Sequence, residues 1–141
     1  MRMRIETDGA SRGNPGEAAG AAVLFDESGR RVARVARYLG QTTNNVAEYT
    51  GLLVGLDLAL DLGATEVEVR ADSELMVRQL NGVYRVKNPG LQSLYREATK
   101  RLGRLGSYRI VHVPRAQNRA ADQAANDSVD RRESFVEREA P

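Results

Sequence analysis

Two short segments, Arg2–Asp8 and Glu66–Asp72, alternate with a period of two, and each ends in an aspartate. In the first, Met3, Ile5 and Thr7 face one way and Arg4, Glu6 and Asp8 the other. In the second, Val67, Val69 and Ala71 form the inward set. Successive side chains of a strand point to opposite faces, so the pattern predicts two strands with an aspartate ending the polar face of each. Parallel pairing would make Asp8 and Asp72 neighbours. Parallel strands need a crossover connection, and the long stretch between the two segments supplies one. The chain therefore reads as an α/β domain in which two carboxylates distant in sequence meet.

Two more acids fall on apolar helical stripes. Asn44–Leu62 carries Leu52, Leu53, Leu56, Ala59 and Leu60 at helical spacing. Glu48 precedes Leu52 by four residues and Leu56 by eight, which places it on the buried stripe. Asp122 precedes Ala125 by three and Val129 by seven in a second amphipathic segment. A buried carboxylate is costly unless it is paired, hydrogen-bonded or bound to metal. Taken singly, each of the four reads most simply as an ion-pair or N-cap residue. Taken together, Asp8, Glu48, Asp72 and Asp122 fit one divalent-metal site.

The other elements follow from turn and periodicity signals. A Gly/Pro loop is expected over Gly9–Gly16. Strands are expected over Ala18–Asp26 and Arg31–Leu39, joined by a turn at Glu27-Ser28-Gly29. Gly63 stops the first helix, and Ser73 caps a second that runs to about Asn81. Leu91, Leu94, Tyr95, Ala98 and Leu102 mark a third helix; Ser107–Val113 is a fifth strand, and Arg119–Asp130 the last helix. The order βββαβααβα predicts a mixed five-stranded sheet flanked by helices. The domain is expected to span residues 1–130, with 131–141 a charged, flexible C-terminal tail.

Composition removes several classes of function. A chain of 141 residues is long enough for one domain with a substantial core. It has no cysteine, which excludes disulfides, zinc–thiolate sites and thiol nucleophiles and is compatible with a cytoplasmic setting. Met1–Ile5 is too short and too alternating for a signal peptide, and no apolar run reaches membrane-spanning length. The net charge of +2 does not by itself call for nucleic acid. All but two of the 21 basic residues are arginine, which suits bidentate phosphate recognition; a GC-rich genome gives the same bias.

Four motifs occur in order along this chain: Asp8-Gly-Ala-Ser-Arg-Gly-Asn-Pro-Gly16, Thr42-Thr-Asn-Asn-Val-Ala-Glu48, Ala71-Asp-Ser73 and Asn118-Arg-Ala-Ala-Asp122. Together they resemble the type 1 ribonuclease H family, here in a compact form. The resemblance implies a ribonuclease H-like fold and an endonuclease that cuts the RNA strand of RNA–DNA hybrids, leaving 5′-phosphate and 3′-hydroxyl ends. It implies that Asp8, Glu48, Asp72 and Asp122 hold two magnesium ions, which manganese can replace. Asp8 would bridge the ions, and Asp122 would serve the one that activates water. Glu48 and the backbone at Gly9 would accept from the RNA 2′-hydroxyl, Asn44 and Asn45 would read bases and sugars, and Asn14 and Thr43 would bind a phosphate of the DNA strand. A monomer that needs no membrane is expected.

The sequence departs from better-known bacterial members in two places. Between Ser73 and Leu94 there is no room for an added basic helix; Tyr84, Arg85, Lys87 and Asn88 are what remains. The loop before the last helix is short, and the only histidine, His112, falls in the strand before it. Arg115 is the loop residue expected to take over the task of a mobile histidine, electrostatically rather than by proton transfer. Other readings are a catalytically silent hybrid-binding module, another nuclease of the same superfamily, or one part of a larger fusion.

Overall fold

The computed structural model describes residues 1–139. Its elements are β1 (Arg2–Gly13), β2 (Gly16–Phe25), β3 (Arg31–Thr42), α1 (Asn44–Asp61), β4 (Glu66–Ala71), α2 (Glu74–Leu80), α3 (Pro89–Leu102), β5 (Ser107–His112), α4 (Arg119–Arg131) and β6 (Phe135–Arg138). The sheet order is β5-β4-β1-β2-β3-β6. β1 pairs in parallel with β4, as the two alternating segments require, and β4 with β5; the pairings among β1, β2, β3 and β6 are antiparallel.

Helices cover both faces. Met3, Ile5, Val67 and Val69 share one core with Leu52, Leu56 and Ala59 of α1 and Leu91, Ala98 and Leu102 of α3. On the opposite face Ala21, Val23 and Ala36 lie under Ala124 and Ala125 of α4. α1 lies against the sheet at backbone distance. A Cβ on Gly51 would stand 2.5 Å from the Asp8 carbonyl oxygen, and one on Gly9 2.4 Å from the Glu48 nitrogen. Only glycine permits that approach, and it brings the helix carrying Glu48 onto the strand carrying Asp8.

Two expectations are corrected. The stretch after Asp8 is not a loop: β1 continues to Gly13, and the reversal is confined to the tip between Gly13 and Gly16. Pairing with β4 nevertheless stops at Thr7↔Ala71, so on that side Asp8 is the first residue beyond the ladder. The tail is not a flexible end either, because Phe135–Arg138 adds a sixth strand to the edge of β3. Its charges have a partner that periodicity could not reveal. Arg34, on β3, bonds Glu137 at 3.0 and 3.2 Å and Asp127 of α4 at 2.8 Å, and its guanidinium lies 4.8 Å from the centre of the Phe135 ring. Residues 140–141 of that expected tail lie outside the described residues. The absence of a helix between α2 and α3 is as expected: Gly82, at φ +78°, ends the turn after α2, and Asn88 caps α3 by accepting from Gly90.

Candidate active site

The parallel ladder brings Asp8 and Asp72 to the point where β4 ends, and the α1 seam brings Glu48 to them. Oxygens of the three carboxylates lie within 4.8 Å of one another. Asp8 and Glu48 are only 3% and 6% exposed. The Gly9 amide donates to Asp8 Oδ1 at 2.9 Å. Glu48 Oε2 and Asp72 Oδ2 are buried without a hydrogen-bond partner. Arg115 approaches Asp72 Oδ2 at 3.8 Å, which is an ion pair across a gap and too long for a hydrogen bond; its side chain is 87% exposed.

Such crowding has an electrostatic consequence. Burial pushes the Asp8 carboxyl up to about 9, and the charges of Glu48, Asp72 and then Asp122 add to the rise. Glu48 is pushed up to about 8, again by burial first and then by Asp72; hydrogen bonds from Asp8 and the Gly9 amide and the charge of Arg115 offset part of this. Without a counter-charge the cluster therefore retains protons at neutral pH. A divalent cation removes the conflict. The donors are hard oxygens, several carboxylates face one point, and two of their buried oxygens have no hydrogen-bond partner, so the residues fit such an ion.

Asp122 stands apart. It lies in the first turn of α4, and among the described residues it does not belong to the three-acid group, although its charge is felt at Asp8. Its Oδ1 accepts from Asn126 Nδ2 at 3.2 Å, one turn along the same helix.

The expected substrate residues gather where α1 begins. Thr43 caps the helix, its Oγ1 accepting from the Val46 nitrogen at 3.3 Å, and Asn14 Oδ1 accepts from the Asn44 nitrogen at 3.1 Å. Each side chain thus satisfies a helix-end N–H with its oxygen while keeping a proton to donate: the hydroxyl hydrogen of Thr43 and the amide of Asn14. Asn44 and Asn45 are exposed. Turn chemistry and ligand chemistry are therefore both open to the same atoms. Glu74 is engaged elsewhere, by Arg78 at 2.8 Å. His112 is the last residue of β5 and is exposed. Tyr84 is exposed beside Arg78, whose guanidinium lies 5.6 Å from its ring centre.

Sequence reasoning missed three residues that shape the site. In the sequence Asn118 is only the first residue of the last motif, ahead of the helix, yet it is fully buried and its Nδ2 donates to the Thr7 carbonyl at 2.8 Å. It ties the start of α4 to the strand position before Asp8. Gly51 was hidden inside an apolar stripe. Asn126 was legible in principle, because it follows Asp122 by four residues and so shares its face.

The family model described as "Reverse transcriptase-like" matches residues 6–128. The crystal structure of RNase H1 from the archaeon Halobacterium salinarum superposes with a TM-score of 0.90 at 40% identity, covering 93% of this chain and 99% of that one. The chain belongs to the type 1 ribonuclease H family. The structure of LC11-RNase H1 in complex with an RNA/DNA hybrid is similar at a TM-score of 0.87 and 40% identity, over 92% of this chain and 98% of that one. Among curated ribonuclease H relatives, the bifunctional protein Rv2228c of Mycobacterium tuberculosis is 46% identical over 131 residues, which is 92% of this chain but 36% of the relative. Ribonuclease HI of Halobacterium salinarum is 41% identical over 92% of this chain and 65% of its own length. The chain thus spans about a third of the Mycobacterium relative.

Proposed function

We propose that this ribonuclease H domain hydrolyses the RNA strand of RNA–DNA hybrids with two divalent cations, magnesium or in its place manganese, and leaves 5′-phosphate and 3′-hydroxyl ends. The observation that carries this reading is the cluster of Asp8, Glu48 and Asp72, with two buried oxygens that lack a hydrogen-bond partner, on the frame of the ribonuclease H family. The hybrid held by LC11-RNase H1 supports the choice of substrate.

Asp8, Glu48, Asp72 and Asp122 would hold the two cations, with Asp122 serving the one that activates water. The bound cations would supply Lewis-acid stabilisation of the phosphate and a more acidic water. The chain's own residues do the positioning. Thr43 and Asn14 offer their remaining protons to a phosphate of the DNA strand. Asn44 and Asn45 present exposed amides to base edges and sugars. Glu48 and the Gly9 backbone face the ribose 2′-hydroxyl, the group that separates RNA from DNA. Arg115, permanently charged and exposed at the rim, stabilises negative charge on the departing phosphate. The exposed Tyr84, Arg85, Lys87 and Asn88 form a small gripping surface in place of a longer basic element. The domain acts as a monomer in the cytoplasm.

The test is a gel assay on uniform hybrid, RNA duplex and DNA duplex, each with magnesium, manganese or EDTA. Internal cuts confined to the RNA strand of the hybrid, and abolished by EDTA, are expected. Metal-independent cutting, or equal cutting of DNA duplex, would overturn the proposal.

A further inference from the structure

The fourth acid is reached through a chain of contacts that begins on another element. Asn126 Nδ2 donates to Asp122 Oδ1 at 3.2 Å and to the Asp122 carbonyl at 2.9 Å. Asn126 Oδ1 in turn accepts from Arg12 Nη2 at 3.1 Å, and the same Nη2 reaches Asp130 Oδ1 at 2.8 Å. Arg12 lies on β1, four residues beyond Asp8.

The chemistry of these groups makes the arrangement directional. A primary amide can turn either end toward a neighbour, but a guanidinium only donates. Arg12 therefore fixes the carbonyl end of Asn126 toward itself, which leaves the amine end to face Asp122. Charge is kept out of the relay. The Arg12 cation is balanced by Asp130, and among the described residues no ion pair is seen between it and Asp122. A guanidinium placed directly on Asp122 would compete with a metal ion, whereas a neutral amide holds one oxygen and leaves the charge in place. The hydrogen bond from Asn126 goes to Oδ1, and among the described residues none is seen to Asp122 Oδ2, which is the oxygen left to ligate.

We propose that Asn126, oriented by Arg12, is the positioning residue for Asp122 and sets the affinity of the cation that Asp122 serves. The inference rests on the two-cation reading above, but its test does not need substrate. Manganese binding to the full chain is measured by calorimetry without nucleic acid, for the wild type, Asn126→Ala, Arg12→Ala, Asp122→Asn and the double variant Asn126→Ala/Asp122→Asn. Partners of ligating side chains typically contribute about tenfold to a hundredfold in metal affinity. Asn126→Ala is expected to weaken the Asp122-dependent binding about tenfold, and to have no further effect once Asp122 is already Asn. Arg12→Ala is expected to act in the same direction, which keeps the test open if Asn126→Ala folds poorly; thermal melting reports folding of each variant. Unchanged manganese affinity and stoichiometry in both Asn126→Ala and Arg12→Ala would overturn the proposal. So would a loss of equal size in the Asp122→Asn background. If the wild type bound manganese in this pattern yet cut no hybrid, the substrate reading would fail and the positioning role would stand.

Discussion

Replacing Asp8 by asparagine is expected to stabilise the metal-free protein and to do so increasingly as pH rises. The Asp8 and Glu48 carboxyls are both raised, so the folded chain holds protons that the unfolded chain has already released. That contribution is complete below about pH 4, the ordinary range for unfolded carboxyls. It is lost as pH climbs through the raised values, about 8 for Glu48 and about 9 for Asp8. The slope is at most about 1.4 kcal/mol per pH unit for each proton retained. The direct repulsion has a similar size. Two unit charges 4.8 Å apart repel by about 3.5 kcal/mol at an effective dielectric of about 20. An amide keeps the shape of Asp8 and removes both its repulsions, with Glu48 and with Asp72. Asp8→Asn should therefore gain about 2–4 kcal/mol over the wild type at about pH 8 relative to about pH 5, since the variant lacks the raised titration of Asp8. Urea unfolding in EDTA across that pH range measures the difference. Added magnesium should reverse the order, because it stabilises only the chain that binds it. A difference that stays constant with pH, or an Asp8→Asn protein less stable than the wild type at about pH 8 in EDTA, would refute the electrostatic account of the cluster.

Three further outcomes follow from packing and charge. Gly51→Ala places a Cβ 2.5 Å from the Asp8 carbonyl with no rotamer to relieve it; urea unfolding should show a loss of about 1–3 kcal/mol, and unchanged stability would contradict the seam. Arg34→Ala removes the cation that Glu137, Asp127 and Phe135 share, so hydrogen exchange at residues 135–138 should accelerate while manganese affinity holds. Arg115→Ala should reduce hybrid turnover several-fold and His112→Ala hardly at all; a greater loss in His112→Ala, with both proteins folded, reverses the assignment at the rim.

How far the sequence reached depends on the range of each interaction. Asp8, Asp72 and their strands were legible because alternation is local and parallel pairing follows from it. Glu48 was legible because an acid on an apolar stripe needs a reason. What brings Glu48 to Asp8 was not, since Gly51 and Gly9 act by what they lack, and a missing Cβ leaves no periodic trace. The sixth strand escaped for the opposite reason. Residues 135–138 include Glu137 and Arg138 in a charged run, and charge at a chain end reads as solvation. Its pairing depends on Arg34, about a hundred residues earlier, which itself reads as a surface residue of β3. Asp122 shows both limits at once. Its helix and face were predictable, yet its place outside the three-acid group was not, nor was the contact of its carboxylate with Asn126, whose amide also meets Arg12. Periodicity places a side chain on a face, but which of its atoms is engaged depends on hydrogen bonds that the pattern does not encode, here from Asn126 on the same helix and through it from Arg12 on β1.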